Sequence, residues 1–176
     1  MIDGETIAKL RTEQLRIRLQ LMPHSGFGSY ARMFKSTVSV SAHTGSAGTS
    51  LADAPARPAS TAIWYLLGAG QGSRWHVVDV DDIWHHIEGE TLIVLVYNLA
   101  TNTLQRHRLG PFDDNAVPFL AVPGGCWQAV EEVGEYALCT CLVTPGFDYH
   151  GFSLVRDMGD QGAHFETALS DWKHLL

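Results

Sequence analysis

The chain has no excess of basic residues. Its 12 Lys and Arg stand against 19 Asp and Glu, for a formal net charge of -7. Binding to phosphate backbones needs a basic face, so the balance excludes a nucleic-acid partner. It leaves room for an anionic small molecule, which one or two arginines can hold. No apolar run approaches the roughly 18–20 residues of a membrane-spanning helix, so no membrane partner is expected. The opening Met1-Ile2-Asp3-Gly4-Glu5 lacks the basic and apolar regions of a secretory signal. Cysteine is scarce, and Cys126, Cys139 and Cys141 show no metal or redox spacing. Cys139 and Cys141 fall two apart on an expected strand and face the same way, which suits core thiols better than a disulfide. These absences together point to the cytoplasm, a reducing compartment.

What is present is a globular composition, with 45% hydrophobic and 18% charged residues over 176 positions. That length favours one domain with tails. Ile7, Leu10, Ile17 and Leu21 recur at helical spacing and predict an amphipathic N-terminal helix ended by Pro23. A strand is expected over residues 30–40. Residues 41–60 are rich in Ser, Ala, Gly, Thr and Pro without a periodic apolar face, and read as a long surface insertion. From Thr61 onward, short β-branched and aromatic runs alternate with Gly- and Pro-bearing turns. They predict strands at 62–67, 75–80, 83–88, 91–98, 103–109, 119–122, 127–130 and 136–144. So many short strands without an intervening long helix indicate an all-β barrel or sandwich. In the tail, Phe165, Leu169, Trp172 and Leu176 predict a short capping helix.

Two stretches carry candidate chemistry, Trp75 to Gly89 and Val122 to Val130. Alternate residues of a strand share a face, so His76 points with Val78, and Asp82 with Trp84 and His86. His85 then takes the opposite face unless a bulge changes the parity. The Pro123-Gly124-Gly125 turn delivers Gln128 to the same interior. His76 oriented by Asp82 forms a candidate acid–base pair, with Tyr65 or Tyr136 as proton donor. A structural hydrogen bond is the plainer alternative. Thr61, Trp64, Tyr65, Trp84, His86, Trp127 and Gln128 are the candidate ligand-binding residues, although tryptophans at such positions often belong to a core. Arg57, Arg74 and Arg106 are candidate anion holders, with surface arginine the plainer reading, and His24 reads as a helix-end residue, with a cavity role as the lesser alternative.

These stretches resemble the two cupin motifs. His76 stands at the first histidine, Val78 at the second, Asp82 at the glutamate and Gly89 at the glycine. Pro123, Gly124 and Gly125 match the second motif, where Gln128 replaces its histidine. The wider chain resembles the DUF985 (Cupin_5) family, related to dTDP-sugar epimerases. The residues behind this are Leu21-Met22-Pro23-His24, Ser60 to Leu67, the Trp-His and Asp-Ile-Trp-His runs, Val122 to Gln128, and Thr144-Pro145-Gly146-Phe147-Asp148. The chain departs from the family at Ser25-Gly26-Phe27-Gly28, Val77 and Gly151-Phe152-Ser153, each swap removing a charge. The resemblance implies a double-stranded β-helix over residues 1–155 with a tail at 156–176. It also implies a homodimer, and a sugar or nucleotide sugar as small-molecule ligand. Most cupins hold a divalent ion through three histidines and a carboxylate. With Val78 and Gln128 in two of those places, the expectation here is no metal and no other cofactor. Two functions remain open: a metal-independent epimerase or isomerase, and a non-catalytic binding or sensing module.

Overall fold

The computed structural model describes residues 3–24, 28–41, 56–159 and 163–176. The departure at Ser25-Gly26-Phe27 and most of the expected insertion lie outside the described residues. Helix α1 (Gly4–Arg18) starts where the Asp3 carboxylate accepts from the Thr6 amide at 2.8 Å, satisfying a backbone donor of the first turn. The strands follow as β1 (Met22–Pro23), β2 (Ser29–Lys35), β3 (Ser39–Ser41), β4 (Ala56–Pro58), β5 (Thr61–Gly68), β6 (Ser73–Val78) and β7 (Asp81–Gly89). After them come β8 (Leu92–Asn98), β9 (Thr103–Leu109), β10 (Phe119–Val122), β11 (Trp127–Val130), β12 (Tyr136–Thr144) and β13 (Phe152–Leu154). The tail forms α2 (Ala163–Ala168) and a 3-10 segment, Ser170–Leu175.

The strands build a six-stranded sheet, ordered β1-β2-β5-β12-β7-β10, and a five-stranded sheet, ordered β13-β6-β11-β8-β9. The run expected as one strand over 30–40 divides into β2 and β3, and β3 pairs antiparallel with β4 apart from both sheets. The chain is all-β, as its sequence pattern predicts, with the jelly-roll architecture that the family resemblance implies. The inner faces of the two sheets share one core, in which Tyr65, Leu67 and Trp84 meet Val94, Val96 and Val130. Burial of such side chains is worth about 1.5–3 kcal/mol each.

The N-terminal helix corrects its sequence reading. Ile7, Leu10 and Ile17 are 57%, 54% and 70% exposed, while Ala8 and Leu15 are buried. Leu15 packs on Leu66 and Leu138. Arg11 lies over the same sheet and pairs with Glu88 at 2.6 Å. The contact face thus mixes small and charged residues, and the spacing of large apolar residues picks out the wrong side. The tail, by contrast, is integral to the fold. Phe165, Leu169 and Leu175 pack against Trp75, Tyr97 and Trp127 on the outer face of the five-stranded sheet.

Candidate functional site

Strand parity decides which side chains enter the space between the sheets. Along β5 and β12 the register Tyr65↔Cys139 and Ile63↔Cys141 continues through Cys141↔Trp84 and Val143↔Asp82 to β7. Tyr65, Trp84 and Asp82 therefore face inward together. Across the gap, His76 on β6 pairs in register with Gln128 on β11 and Leu154 on β13. The Pro123–Cys126 turn sets Gln128 in place. Gly125 adopts φ +80, and the Cys126 amide donates to the Pro123 carbonyl at 3.1 Å. A positive φ at that turn position favours glycine.

Between the sheets lies a cavity of about 600 Å³. On one wall, the rings of Tyr30, His24, Tyr65 and Trp84 follow one another, with centroids 5.1 to 5.7 Å apart and near-perpendicular planes. On the other, His76, Phe152, Phe147 and Tyr149 follow one another at 5.1 to 5.8 Å, with planes at 35°, 62° and 83°. Met22, Ile63, Val78, Val143 and Leu154 fill the intervals. Arg32 is the cationic Lys or Arg side chain of this lining, and it is exposed.

Two titratable groups sit in the wall in opposite states. His76 bonds through Nδ1 to the Arg74 carbonyl at 2.8 Å. A carbonyl only accepts, so Nδ1 carries the proton and Nε2 keeps a lone pair. Burial lowers the His76 pKa to about 4, against a smaller upward push from that carbonyl, so the ring is neutral. Asp82 is 5% exposed. Burial raises its carboxyl to about 6, opposed chiefly by the hydrogen bond from Gln128. Trp84 Nε1 donates to Gln128 Oε1 at 2.9 Å, which fixes the amide orientation. Gln128 Nε2 then donates to Asp82 Oδ2 at 2.8 Å. Asp82 Oδ1 is buried without a hydrogen-bond partner among the described residues.

Several expected roles change. His76 and Asp82 both line the cavity, but His76 is held by the Arg74 carbonyl rather than oriented by Asp82, and its pKa moves down instead of up. Gln128 is 1% exposed and serves Asp82 from behind the wall instead of lining it. Thr61 and Tyr65 line the cavity; Thr61 Oγ1 also accepts from the Phe147 amide at 2.9 Å. Trp64 faces the other way, toward the cluster around Leu15. Trp127 packs beneath the tail against Phe165, with centroids 4.7 Å apart. Both are one residue out of phase with an inward neighbour. His86 is not part of the lining; its Nε2 donates to the Glu90 carbonyl at 3.1 Å, next to a register shift at Leu138/Cys139. His85 packs edgewise on Phe119. Tyr136 donates to Glu88 beside Arg11, away from the cavity. Burial holds the Tyr65 phenol far above its usual range, so it stays protonated.

The three arginines named as anion holders are engaged elsewhere. Arg57 pairs with Asp79 at 2.7 Å, Arg106 pairs with Glu131 at 2.8 Å, and Arg74 donates to the Leu176 carbonyl. Sequence reasoning missed Tyr30, Arg32, Phe147 and Phe152 in the cavity, and held a cavity role for His24 only as the lesser alternative. Tyr30, Arg32 and Phe152 enter through the registers Tyr30↔Tyr65, Arg32↔Ile63 and Phe152↔Val78, which only the strand pairing reveals. Phe147 had no signal in the sequence.

The residues do not fit a divalent ion. Among the described residues, no three His, Cys, Asp or Glu come together. Gln128 cannot help, because its oxygen accepts from Trp84 and its nitrogen faces Asp82. His76 Nε2 and one carboxylate fall short of the three or four ligands a transition metal takes.

A family model described as Cupin superfamily (DUF985) matches residues 13–155. No curated protein matches the chain. Among solved structures, a hypothetical protein from Leishmania major superposes with a TM-score of 0.73 at 22% identity, over 90% of this chain and 96% of that one. A protein from Shewanella oneidensis gives 0.70 at 23% identity, over 90% of each chain. An oxalate decarboxylase from Bacillus subtilis gives 0.52 at 9% identity, over 83% of this chain and 33% of that one. At these identities the likeness shows a shared fold.

Proposed function

The chain belongs to the DUF985 family of the cupin superfamily, and from that premise we propose that it binds a small organic molecule between its sheets without a metal ion. The observation that carries this reading is the cavity itself. It has the size of a small-molecule site, mostly apolar and aromatic walls, and a few fixed polar groups. The ligand enters past Arg32 and Tyr149 and is desolvated against the rings. His76 Nε2 offers it a hydrogen-bond acceptor. The Trp84–Gln128 pair holds Asp82 in one orientation.

The nucleotide sugar implied by the resemblance is the weaker fit. A diphosphate calls for several cationic or amide donors, and the lining supplies one exposed arginine. A neutral sugar remains compatible with the rings and with His76. A second reading, an isomerase, draws support from the opposed states of His76 and Asp82: one group is a free base and the other a carboxyl that titrates near neutrality. Pairing into dimers has support in the exposed Ile7, Leu10 and Ile17, which leave an apolar stripe on α1. Sedimentation at micromolar concentration tests it, and a monomer there counts against pairing.

The test of the main reading uses chelator-treated protein and a panel of neutral, cationic and anionic small molecules. Binding is followed by tryptophan emission and thermal shift. We expect binding that survives the chelator and disappears in Val143→Trp, which fills the cavity. Binding that requires added metal, or that survives in folded Val143→Trp, contradicts the reading. Solvent deuterium appearing at a carbon of any bound compound favours the isomerase.

A further inference from the structure

The Asp82 carboxylate has no cation of its own. It takes part in none of the ion pairs formed among the described residues. One oxygen accepts from the neutral Gln128 amide, and the other has no hydrogen-bond partner among the described residues. Burying a carboxylate this way is costly unless something of opposite charge comes near it. The other candidates are ruled out by their own surroundings. His76 is neutral, and burial likewise lowers the pKa of His24, the other histidine in the lining. Arg32 stands exposed at the mouth. A metal ion lacks its ligands.

The rings that line the cavity with Asp82 stand at steep angles to one another. Tyr65 meets Trp84 at 89° and His24 at 79°, while Phe147 meets Tyr149 at 83° and Phe152 at 62°. Steeply angled neighbouring rings form the corners of a box, and the negative faces of such rings attract positive charge. The kind of cation follows from the walls, which are mostly rings and aliphatic side chains, with the His76 lone pair and a few hydroxyls as the accessible acceptors. A primary ammonium carries three N–H donors, each needing a partner. An alkylated ammonium needs none and presents methyl or methylene groups to the rings. At 5% exposure, Asp82 offers its charge more than a hydrogen-bonding edge.

Resting on the reading of this cavity as a binding site, we infer that its ligand is an alkylated ammonium compound, boxed by Tyr65, Trp84 and Phe152 with Asp82 as counter-ion. The charge then completes the wall when the ligand binds. Neutral isosteres fill the same space without that gain.

Calorimetry on chelator-treated protein tests the inference, with choline as the cationic probe and 3,3-dimethyl-1-butanol as its uncharged isostere. Choline is expected to bind about tenfold or more tighter than the isostere. Asp82→Asn, which keeps a partner for Gln128, is expected to bring the two within about threefold. If that variant fails to fold, the wild-type ratio decides alone. Equal affinity of the two probes, or binding of the isostere without choline, overturns the ammonium class and leaves the cavity reading standing. Binding of neither probe also overturns the class; if the whole small-molecule panel then fails as well, the cavity reading falls with it.

Discussion

The five-stranded sheet carries aromatic rings on both faces. On the outer face, Trp75 and Trp127 are 0% and 5% exposed, and Phe165 and Leu169 of the tail close over them. On the inner face, His76 and Phe152 look across about 600 Å³ of space toward Tyr65 and Trp84. Trp75 and His76 are neighbours in the chain, as are Trp127 and Gln128, so a single step along a strand separates packing from binding. The indoles differ too. Trp84 Nε1 reaches Gln128, whereas Trp75 Nε1 is buried without a partner. A ring that orders a polar group belongs to the site, while a ring that only excludes water belongs to the core.

The largest expected effect tests the outer face. Phe165→Ala removes a 1% exposed ring from between Tyr97 and Trp127, and is expected to cost about 3–5 kcal/mol in urea unfolding. A loss below about 1 kcal/mol, the range of surface changes, would make the tail an appendage.

On the inner face, the two titratable groups pull stability in opposite directions with pH. The folded-state pKa of Asp82 rises from 3.8 to about 6, so the native state binds its proton more tightly and stability falls as pH rises through that window. The folded-state pKa of His76 drops from 6.5 to about 4, so the unfolded state binds its proton more tightly and stability rises with pH from about 4 to 6.5. Each is worth on the order of 3 kcal/mol at most, and they largely cancel. Burial lowers His24 as well, which adds in the sense of His76. Asp82→Asn should unmask a rise in stability from pH 4 to 6.5, and His76→Gln a fall from pH 4 to 6. Denaturant midpoints across that range measure both; slopes of the same sign in the two variants would refute the assignment.

Gln128→Leu is the next step down. It strips a hydrogen bond from both Trp84 and Asp82 and is expected to destabilise by about 2 kcal/mol. It should also push the Asp82 titration upward, as read by carboxyl NMR shifts. An unmoved titration would detach Gln128 from Asp82. Tyr149→Ala, at a 70% exposed position on the mouth, should alter stability by less than about 0.5 kcal/mol and show its effect in probe binding alone.

The all-β class was legible because turn residues and β-branched runs mark strand limits locally, and the jelly roll followed from the family resemblance. Strands β9 to β12 match their expected spans without change. The motif resemblance also singled out His76 and Asp82, which line the same cavity. Other features depend on pairing, which is not local. Trp64 and Trp127 were assigned to the ligand by chemistry, and strand parity turns them outward. His86 lies beside a register shift that no periodicity announces. Ile7, Leu10 and Ile17 mark an apolar stripe on α1, yet the helix packs through Ala8 and Leu15 because the sheet beneath it offers Leu66, Leu138 and the Glu88 carboxylate. Arg32 and Phe147 reach the cavity from segments distant in the chain.

Probe binding and unfolding measured together on two variants test the division between the faces most directly. Val143→Trp fills the inner space, and Phe165→Leu loosens the outer packing. The account predicts that Val143→Trp stays folded and loses binding of both choline and 3,3-dimethyl-1-butanol. Phe165→Leu should lose stability while its folded fraction binds as the wild type does. Unchanged binding in folded Val143→Trp, or lost binding in folded Phe165→Leu, would contradict it.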